Sequence, residues 1–318
     1  MESHEAFHRE RLRHERRVAL ADTAAAVGIV AVGVVAASLV FLEGRSLDLA
    51  YFTSTPRNFR SPVWQLFLSA AVFALAATVA AFLMGLLIGF ATGWERSLTR
   101  PPLLARTHGL PPGRRTLHLV AGGALYLLRR VADFYVELVR GTPLLVQMFF
   151  VWEAVLIAAP ADWDLRTRSL VAGVVAMTLN TGGYQSEIFR AGISAVPEGQ
   201  VEAARAVGFR RLGAMRHIVL PQAVRLVLPP LTNEFVTLFK SSSLLFFIGL
   251  VELTSLAKSL TNLDPKVFEI FLLTTALYLL VTVPVSRAVI ALERRYRIPG
   301  LGVAASPRGR RRRARRTG

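Results

Sequence analysis

The sequence predicts an all-α protein with several membrane-spanning helices. Of its 318 residues, 53% are hydrophobic and only 19% are charged, whereas a typical soluble domain carries about 25% charge. The apolar residues lie in long runs without charge: 20 residues at 23–42, 34 at 61–94 and 18 at 169–186. Because roughly 20 apolar residues cross the hydrocarbon core as a helix, this pattern excludes a soluble enzyme and a peripheral membrane module.

Six spans are predicted, at residues 23–42, 64–92, 141–160, 169–189, 221–240 and 267–291. An amphipathic stretch at 117–139 precedes the third span. Charged residues interrupt the fifth span, and Pro229-Pro230 is expected to kink it. The first run is longer than the apolar core of a secretory signal peptide, and we therefore interpret it as an uncleaved anchor helix.

The basic residues predict the orientation of these spans. The net charge is +17, and all but three of the 38 basic residues are arginine. With the amino terminus in the cytoplasm, the cytoplasmic segments hold 26 basic residues and the external segments hold seven. Positive residues stay on the cytoplasmic side in bacterial-type insertion. The sequence therefore predicts a multi-pass protein of the cytoplasmic (inner) membrane with both termini in the cytoplasm.

The remaining composition excludes several kinds of site. The chain has no cysteine, and its six histidines are scattered without metal-ligand spacing, so no metal site is predicted. The Arg-rich tail at 298–318 is typical either of nucleic-acid binding or of contact with anionic lipid headgroups; we favour lipids and expect no nucleic acid. Gly85, Gly89 and Gly93 repeat at every fourth position, which indicates close packing against another helix.

The loop at 192–221 predicts a short helix on the cytoplasmic side. Pro197 suits the start of a helix, and Gly208 suits the left-handed conformation that ends one. Three alanines between them favour helix strongly. Such a capped helix would expose a face of small residues, including Gly199, where another protein can dock closely.

The same loop resembles the EAA signature of the membrane permeases of binding-protein-dependent ABC importers. That signature reads E-A-A-x-x-x-G, nine residues, then I-x-L-P, and it is matched here by Glu202-Ala203-Ala204, by Gly208 and by Ile218 to Pro221. In that family the segment is the coupling helix, which docks in a groove of a separate ATPase subunit. The resemblance therefore assigns ATPase coupling to Gly199, Glu202, Ala203, Ala204 and Gly208.

Two further stretches resemble the polar amino-acid branch of these permeases. The first runs from Phe134 to Gln147 and includes Arg140, Gly141, Thr142 and Pro143. The second runs from Gly183 to Ile193 and includes Tyr184 and Arg190, with Ser186 and Ala191 as departures. The similarity covers residues 61–297, which we take as the permease domain. Four predicted segments lie outside this domain: a cytoplasmic segment at 1–22, the anchor at 23–42, an external segment at 43–60 and the Arg-rich tail.

The resemblance implies a MetI-like type I importer fold of five helices, to which residues 23–42 add one amino-terminal helix. It also implies the partners: two ATPase subunits that bind ATP and Mg²⁺, a second permease copy or related chain, and an extracytoplasmic substrate-binding protein. This chain has no P-loop and no cofactor of its own. It is therefore expected to be a transport subunit, not an enzyme, and to carry an amino acid.

Polar residues inside spans are costly and are candidates for the translocation path. They are Gln147, Asn180, Glu187, Asn233 and Lys240. Each also has a structural interpretation: helix–helix hydrogen bonds for Gln147 and Asn180, an ion pair with Arg190 or Arg140 for Glu187, and a salt bridge for Lys240. Glu234 and Lys240 are six residues apart and do not share a helix face.

Three alternatives stay open at this point. A proton- or sodium-coupled transporter would need carboxylates at mid-membrane and internal repeats, and no repeat is evident. A membrane-embedded enzyme would need a polar cluster near an interface, yet the predicted spans contain no Asp. Within the permease class the solute need not be an amino acid, because the EAA signature is shared by permeases for many substrates.

Overall fold

The structure is a computed structural model that describes residues 48–97 and 112–296. The predicted segments at 1–22, 23–42 and 298–318 lie outside the described residues. Nine α-helices occur in the described part: α1 Val63–Ser97, α2 Pro112–Gly141, α3 Leu144–Ala158, α4 Leu165–Ser194, α5 Glu198–Ala206, α6 Arg211–Ala214, α7 Leu220–Ser241, α8 Leu253–Thr261 and α9 Val267–Tyr296.

Two of the described helices are long and apolar enough to cross a membrane alone. They are α1 and the part of α9 at Val267–Val289. Two bent pairs of helices are long and apolar enough only when each pair is taken as one span. These pairs are α2 with α3, and the stretch Met215–Ile248 with α8. The described residues therefore contain up to four spans by length and composition. Helix α4 contains the predicted span at 169–189. It is not among the four because polar residues interrupt its apolar sequence.

The predicted third span is shorter than expected. Helix α3 has 15 residues and ends at Ala158, a length of about 22 Å at roughly 1.5 Å per residue. It meets α2 at an angle of 115° and qualifies as a span only together with α2. The helix within the predicted span 141–160 is thus shorter than the span, since Pro160 and the polar residues after it stop the helix early.

The predicted fifth span continues through its prolines. Helix α7 includes both Pro229 and Pro230 without interruption. A π-helical turn, Met215–Val219, precedes it and a 3₁₀ helix, Ser242–Ile248, follows it. The break comes at Gly249, whose φ of +81° suits glycine. The direction changes there by 51° before α8 begins.

Contacts divide the chain into two compact units, and the larger contains Gln65–Ser259 and the residues from Thr274 onward. Helix α4 lies at its centre and packs against α2, α3 and α7. Asp164 caps its start by accepting a hydrogen bond from Thr167 N at 3.0 Å. Hydrogen bonds from Thr167 also hold the pKa of Asp164 below its ordinary value. The main apolar core joins α1, α3, α4 and α7 and is centred on Met148, Met177 and Leu238.

Helices α1 and α4 approach closely along the predicted glycine face. A Cβ added at Gly85 would lie 2.4 Å from a Thr181 methyl group, and one at Gly89 would lie 2.6 Å from Gln185 Cβ. A Cβ at Gly93 would lie 2.5 Å from the Ser186 carbonyl oxygen. No side chain fits in these gaps, so the prediction of close packing is confirmed.

The smaller unit contains the described residues up to Trp64 and Leu260–Leu273. A short 3₁₀ helix, Leu49–Thr53, buries Tyr51, whose hydroxyl donates to Asp264 Oδ2 at 3.2 Å. Burial, and then the nearby Asp264 charge, raise the pKa of Tyr51 to about 12. Lys266 forms an ion pair with Asp48. These contacts join the segment before α1 to the loop before α9.

Candidate functional site

Helix α5 corresponds to the predicted coupling segment, and both of its ends have the expected geometry. The helix begins directly after Pro197 and includes Ala204 in its last turn. Gly208 follows with a φ of +94°, and the Phe209 amide donates back to the Ala204 carbonyl at 3.0 Å. This is a Schellman motif, in which a left-handed residue closes the helix. The prediction that Pro197 and Gly208 bound the helix is confirmed.

The outer surface of α5 and of the turn after it is exposed. The exposed residues include Gly199, Glu202, Ala203, Val207, Gly208 and Phe209. Val207 is 76% exposed, and a Cβ added at Gly199 or Gly208 would meet no atom within 4 Å. Ala204 is only 3% exposed. The Ala204 side chain is therefore covered by the protein and does not belong to this exposed surface.

The inner side of α5 is fixed to the ends of α4 and α7. Val201 packs against a small core formed by Ile193, Val196, Val219 and Ala223. The Gln200 side-chain oxygen accepts a hydrogen bond from Gln222. Pro221 is exposed in the first turn of α7, where its missing N–H costs no helical hydrogen bond. A force applied to α5 would therefore act on both long helices.

A polar pocket of about 240 Å³ lies between the α2–α3 bend, α4 and α7. Its lining consists of Thr142, Pro143, Leu144, Asn180, Tyr184, Glu234, Thr237, Leu238 and Ser241. Glu234 is the one carboxylate among these nine residues, and its Oε1 accepts a hydrogen bond from Thr181 at 3.1 Å. Hydroxyl and amide groups supply the other polar atoms. The pocket can therefore offer one negative charge and several neutral hydrogen bonds to a solute.

The bend between α2 and α3 forms one wall of this pocket and explains part of the predicted motif. Gly141 ends α2, and Pro143 precedes the first residue of α3 in an extended conformation. The Gln147 side-chain amide donates to the Val139 carbonyl at 2.8 Å and to the Thr142 carbonyl at 3.0 Å. These bonds satisfy carbonyls at the end of α2 that have no helical partner. The structural interpretation of Gln147 is thus confirmed.

Asn180 joins this bend to α4. Its side-chain nitrogen donates to Gln147 Oε1 at 3.0 Å. Asn180 also lines the pocket and is 7% exposed. The predicted helix–helix hydrogen bond is confirmed, and the position in the pocket lining is compatible with the predicted place on the translocation path.

Glu187 lies in an ion-pair cluster at the carboxyl-terminal part of α4. It pairs with Arg190 on the same helix and with Arg96 of α1 at 3.2 Å, and Arg140 of α2 approaches to 3.9 Å. Arg96 also pairs with Asp133 of α2 at 2.7 Å. The predicted ion pairing of Glu187 is confirmed. The cluster joins three helices, although sequence alone pointed only to Arg190 and Arg140.

Of the five predicted path residues, Asn180 lines the pocket, whereas Gln147, Glu187, Asn233 and Lys240 do not. Asn233 and Lys240 are exposed on α7, and within the described residues Lys240 forms no ion pair. The neighbouring face of α7 contributes Glu234, Thr237 and Ser241 instead. These three follow an i, i+3, i+7 spacing, which is the signal that would have selected them. In residues 48–97 and 112–296 no group of three or more acidic or His side chains could hold a metal ion.

Comparison with known proteins identifies the family. Residues 119–298 match the family model described as "Binding-protein-dependent transport system inner membrane component". The chain belongs to this family. It is a permease subunit of the ABC-importer type, as the EAA signature predicted.

Relatives of this permease include amino-acid transport proteins. It is 34% identical to the glutamine transport system permease protein GlnP of Escherichia coli strain K12 over 190 residues, which are 58% of this chain and 85% of the relative. It is 40% identical to the nopaline transport system permease protein NocM of Agrobacterium fabrum strain C58 over 172 residues, 52% of this chain and 71% of the relative. The predicted resemblance to the polar amino-acid branch is confirmed.

Solved structures have the same fold as the permease. A crystal structure of an amino acid ABC transporter with histidines matches with a TM-score of 0.60 and 30% identity, covering 73% of this chain and 94% of the other. The MetNI methionine ABC transporter in an inward-facing form matches with a TM-score of 0.54 and 20% identity, covering 72% and 97%. The second match supports the fold alone.

Proposed function

We propose that this permease forms half of the pore of an ATP-driven importer and carries a polar amino acid into the cytoplasm. The observation that carries the proposal is the path of α4, which lines the polar pocket at Asn180 and Tyr184 and leads at its end to the exposed helix α5. A docking surface and a solute pocket are thus attached to one helix. The substrate class rests on the relatives named for glutamine and on the structure of an amino acid transporter.

In this proposal the outer surface of α5 docks in a separate ATPase subunit. Gly199 and Gly208 allow close approach, Ala203 and Val207 supply apolar contact, and Glu202 supplies an exposed charge. Two such subunits bind ATP and Mg²⁺, and their closure moves α5. Because α5 is packed against the ends of α4 and α7, its motion alters the walls of the pocket.

The pocket in this proposal receives the amino acid. Its volume of about 240 Å³ is below the roughly 300–1,000 Å³ typical of drug-sized ligands, which suits a small solute. Glu234 would pair with the ammonium group of the solute, because hydrogen bonds between opposite charges are stronger than neutral ones. Thr142 and Asn180 would supply further hydrogen bonds.

The assembly requires other chains. A single coupling helix implies a second permease, either a copy of this chain or a related one. A substrate-binding protein delivers the solute from outside, and both termini of this chain lie in the cytoplasm, with the Arg-rich tail near anionic lipids. The balance of basic residues supports this orientation.

Copurification from detergent-solubilised membranes tests this function. We expect the tagged chain to retain an ATPase subunit, and Gly208→Val to lose it while still inserting in the membrane. Valine at a φ of +94° is strained by about 1–2 kcal/mol and disrupts the turn after α5. Gly123→Val is the matched control, since Gly123 is exposed on α2 with no atom within 4 Å of an added Cβ.

Recovery of an ATPase with the wild-type chain and with Gly123→Val, but not with Gly208→Val, supports the proposal. A second permease-like chain among the bound proteins would distinguish a heterodimer from a homodimer. Recovery of the chain alone, under conditions that preserve known ABC importers, would contradict the proposal and favour a secondary transporter.

A further inference from the structure

Arg140 differs from the other arginines of the Glu187 cluster. Arg96 is 13% exposed and makes two ion pairs, at 2.7 and 3.2 Å, and Arg190 binds both carboxylate oxygens of Glu187. Arg140 reaches Glu187 only at 3.9 Å, beyond hydrogen-bond distance. Its side chain is 46% exposed. No hydrogen bond from its guanidinium reaches any of the described residues, so its five donors are available.

The charge balance of the cluster leaves one positive charge over. Three guanidinium groups, those of Arg96, Arg140 and Arg190, face only two carboxylates, those of Asp133 and Glu187. Glu95 and Arg129, which lie beside the cluster, add one charge of each sign and leave the balance unchanged. Because Arg96 and Arg190 hold the closer positions, the surplus charge belongs to Arg140.

Arg140 also lies next to the polar pocket. Its guanidinium carbon is 6.0 Å from the centroid of the Tyr184 ring, and Tyr184 lines the pocket. Thr142 and Pro143, two and three residues further along the chain, line it as well. The Arg140 guanidinium therefore lies beside a side chain of the pocket wall, although Arg140 itself is not part of the lining. The pocket lining itself contains a carboxylate, Glu234, and no basic residue.

We propose that Arg140 binds the carboxylate of the amino acid in the pocket and so makes the permease itself selective for solutes that carry a free α-carboxylate. An amino acid has one ammonium and one carboxylate, and the structure provides Glu234 for the first and a surplus guanidinium for the second. Arginine forms two parallel hydrogen bonds with a carboxylate, which adds geometric selectivity. This inference rests on the proposed function, because it requires the pocket to hold the transported solute.

Site-directed labelling tests the inference directly, because the chain contains no cysteine. Thr237→Cys places one thiol in the pocket lining; the native hydroxyl bonds only to the carbonyl of Asn233 on its own helix. The assembled transporter, in lipid nanodiscs and without its binding protein, is treated with a small maleimide. The labelling rate is measured with increasing L-glutamine, L-histidine or L-arginine, and with the α-amide of each, which keeps the ammonium and lacks the carboxylate.

With Arg140 present, we expect at least one of the amino acids to slow labelling and its α-amide to be much weaker. In Arg140→Gln the concentration that halves the labelling rate should rise about tenfold or more, the range for losing a charge-assisted hydrogen bond. The α-amide should be unaffected by the substitution. Arg140→Lys should recover part of the difference, because lysine keeps the charge but not the fork of donors.

Arg130→Gln is the matched control. Arg130 lies on the same helix and stacks on Tyr126 at 5.1 Å, but neither residue lines the pocket. Protection by the amino acid should be unchanged in this variant. A loss of protection that is equal for Arg130→Gln and Arg140→Gln would show a general effect on α2 and would overturn the assignment.

Two other outcomes would also overturn it. Equal protection of Arg140→Gln and the parent chain by the amino acid would remove Arg140 from solute recognition and leave the proposed function intact. Absence of protection by every amino acid in the parent chain would reject both this inference and the pocket assignment. The ATPase copurification experiment would still test the coupling role of α5 independently.

Discussion

Helix α5 and the polar pocket are connected by one helix, α4, yet they are built in opposite ways. The features of α5 lie within about a dozen consecutive residues at the surface, and its caps use only neighbouring backbone groups. The pocket is assembled from three separate segments between Thr142 and Ser241, and buried polar contacts hold it together. Substitutions on α5 should therefore change docking without unfolding the chain, whereas substitutions behind the pocket should first reduce stability.

The largest effect on the buried region is expected from Gly89→Leu. A Cβ at this position would lie 2.6 Å from Gln185 Cβ and 3.0 Å from the Ser186 backbone nitrogen, so α1 must move away from α4. Overpacking of this kind costs roughly 1–3 kcal/mol. We expect a lower midpoint of thermal unfolding for the purified protein in detergent. Gly123→Leu, at an open position on α2, is the control; equal midpoints for the two variants would contradict the packing argument.

An intermediate effect, on transport and not on stability, is expected from Glu202→Lys on α5. The side chain is exposed, and surface substitutions usually change stability by less than about 0.5 kcal/mol. Unfolding should therefore be unchanged, while ATP hydrolysis by the assembled transporter should no longer produce uptake. The measurement compares uptake and hydrolysis in the same proteoliposomes. Normal uptake in this variant would remove Glu202 from the coupling surface, and a large loss of stability would contradict the contrast between the two regions.

The smallest effect is expected in the other unit, at the exposed pair of Asp48 and Lys266. The hydrogen bond with Lys266 lowers the pKa of Asp48 from its ordinary 3.8, and the same bond raises the pKa of Lys266 above 10.5. The contribution of Asp48 is complete above its ordinary pKa and is lost as the pH falls through the lowered value. The contribution of Lys266 is complete below 10.5 and is lost as the pH rises through the raised value.

The contribution of this pair to stability should therefore stay constant between about pH 5 and pH 9. Thermal unfolding of the wild type and of Lys266→Met at pH 5, 7 and 9 checks this, at low and at high salt because salt screens exposed charges. We expect a small, constant difference between the two proteins that shrinks with salt. A difference that changes within this pH range would show that another titrating group takes part.

The contrast between the two regions also explains what the sequence could predict. The bounds of α5 follow from Pro197 and Gly208, whose backbone preferences act locally, and the long uncharged runs at 61–94 and 169–186 predict α1 and α4. The pocket depends on which faces of α4 and α7 meet, and no local pattern contains that information. Glu234 was therefore noted beside Lys240 in the fifth span but was not selected for the path, while Lys240 and Asn233 were selected although their side chains do not line the pocket.

The ion-pair cluster around Glu187 could be predicted from the sequence less completely than α5 but more completely than the pocket. Arg190 is three residues from Glu187, and that pair was predictable because such residues are neighbours on a helix. Arg96 is 91 residues away from Glu187 in the sequence, and only the packing of α1 against α4 brings the two together. The short length of α3 was also not predicted, because the apolar run continues past Ala158 and the stop comes from the polar turn that follows.

Transport by the reconstituted assembly tests the central claim most directly. Proteoliposomes that contain this permease, its ATPase subunits and the binding protein are supplied with a radiolabelled amino acid. The account predicts uptake that requires hydrolysable ATP on the ATPase side and persists when a protonophore collapses the proton gradient. Uptake that needs the gradient and proceeds without ATP would contradict it.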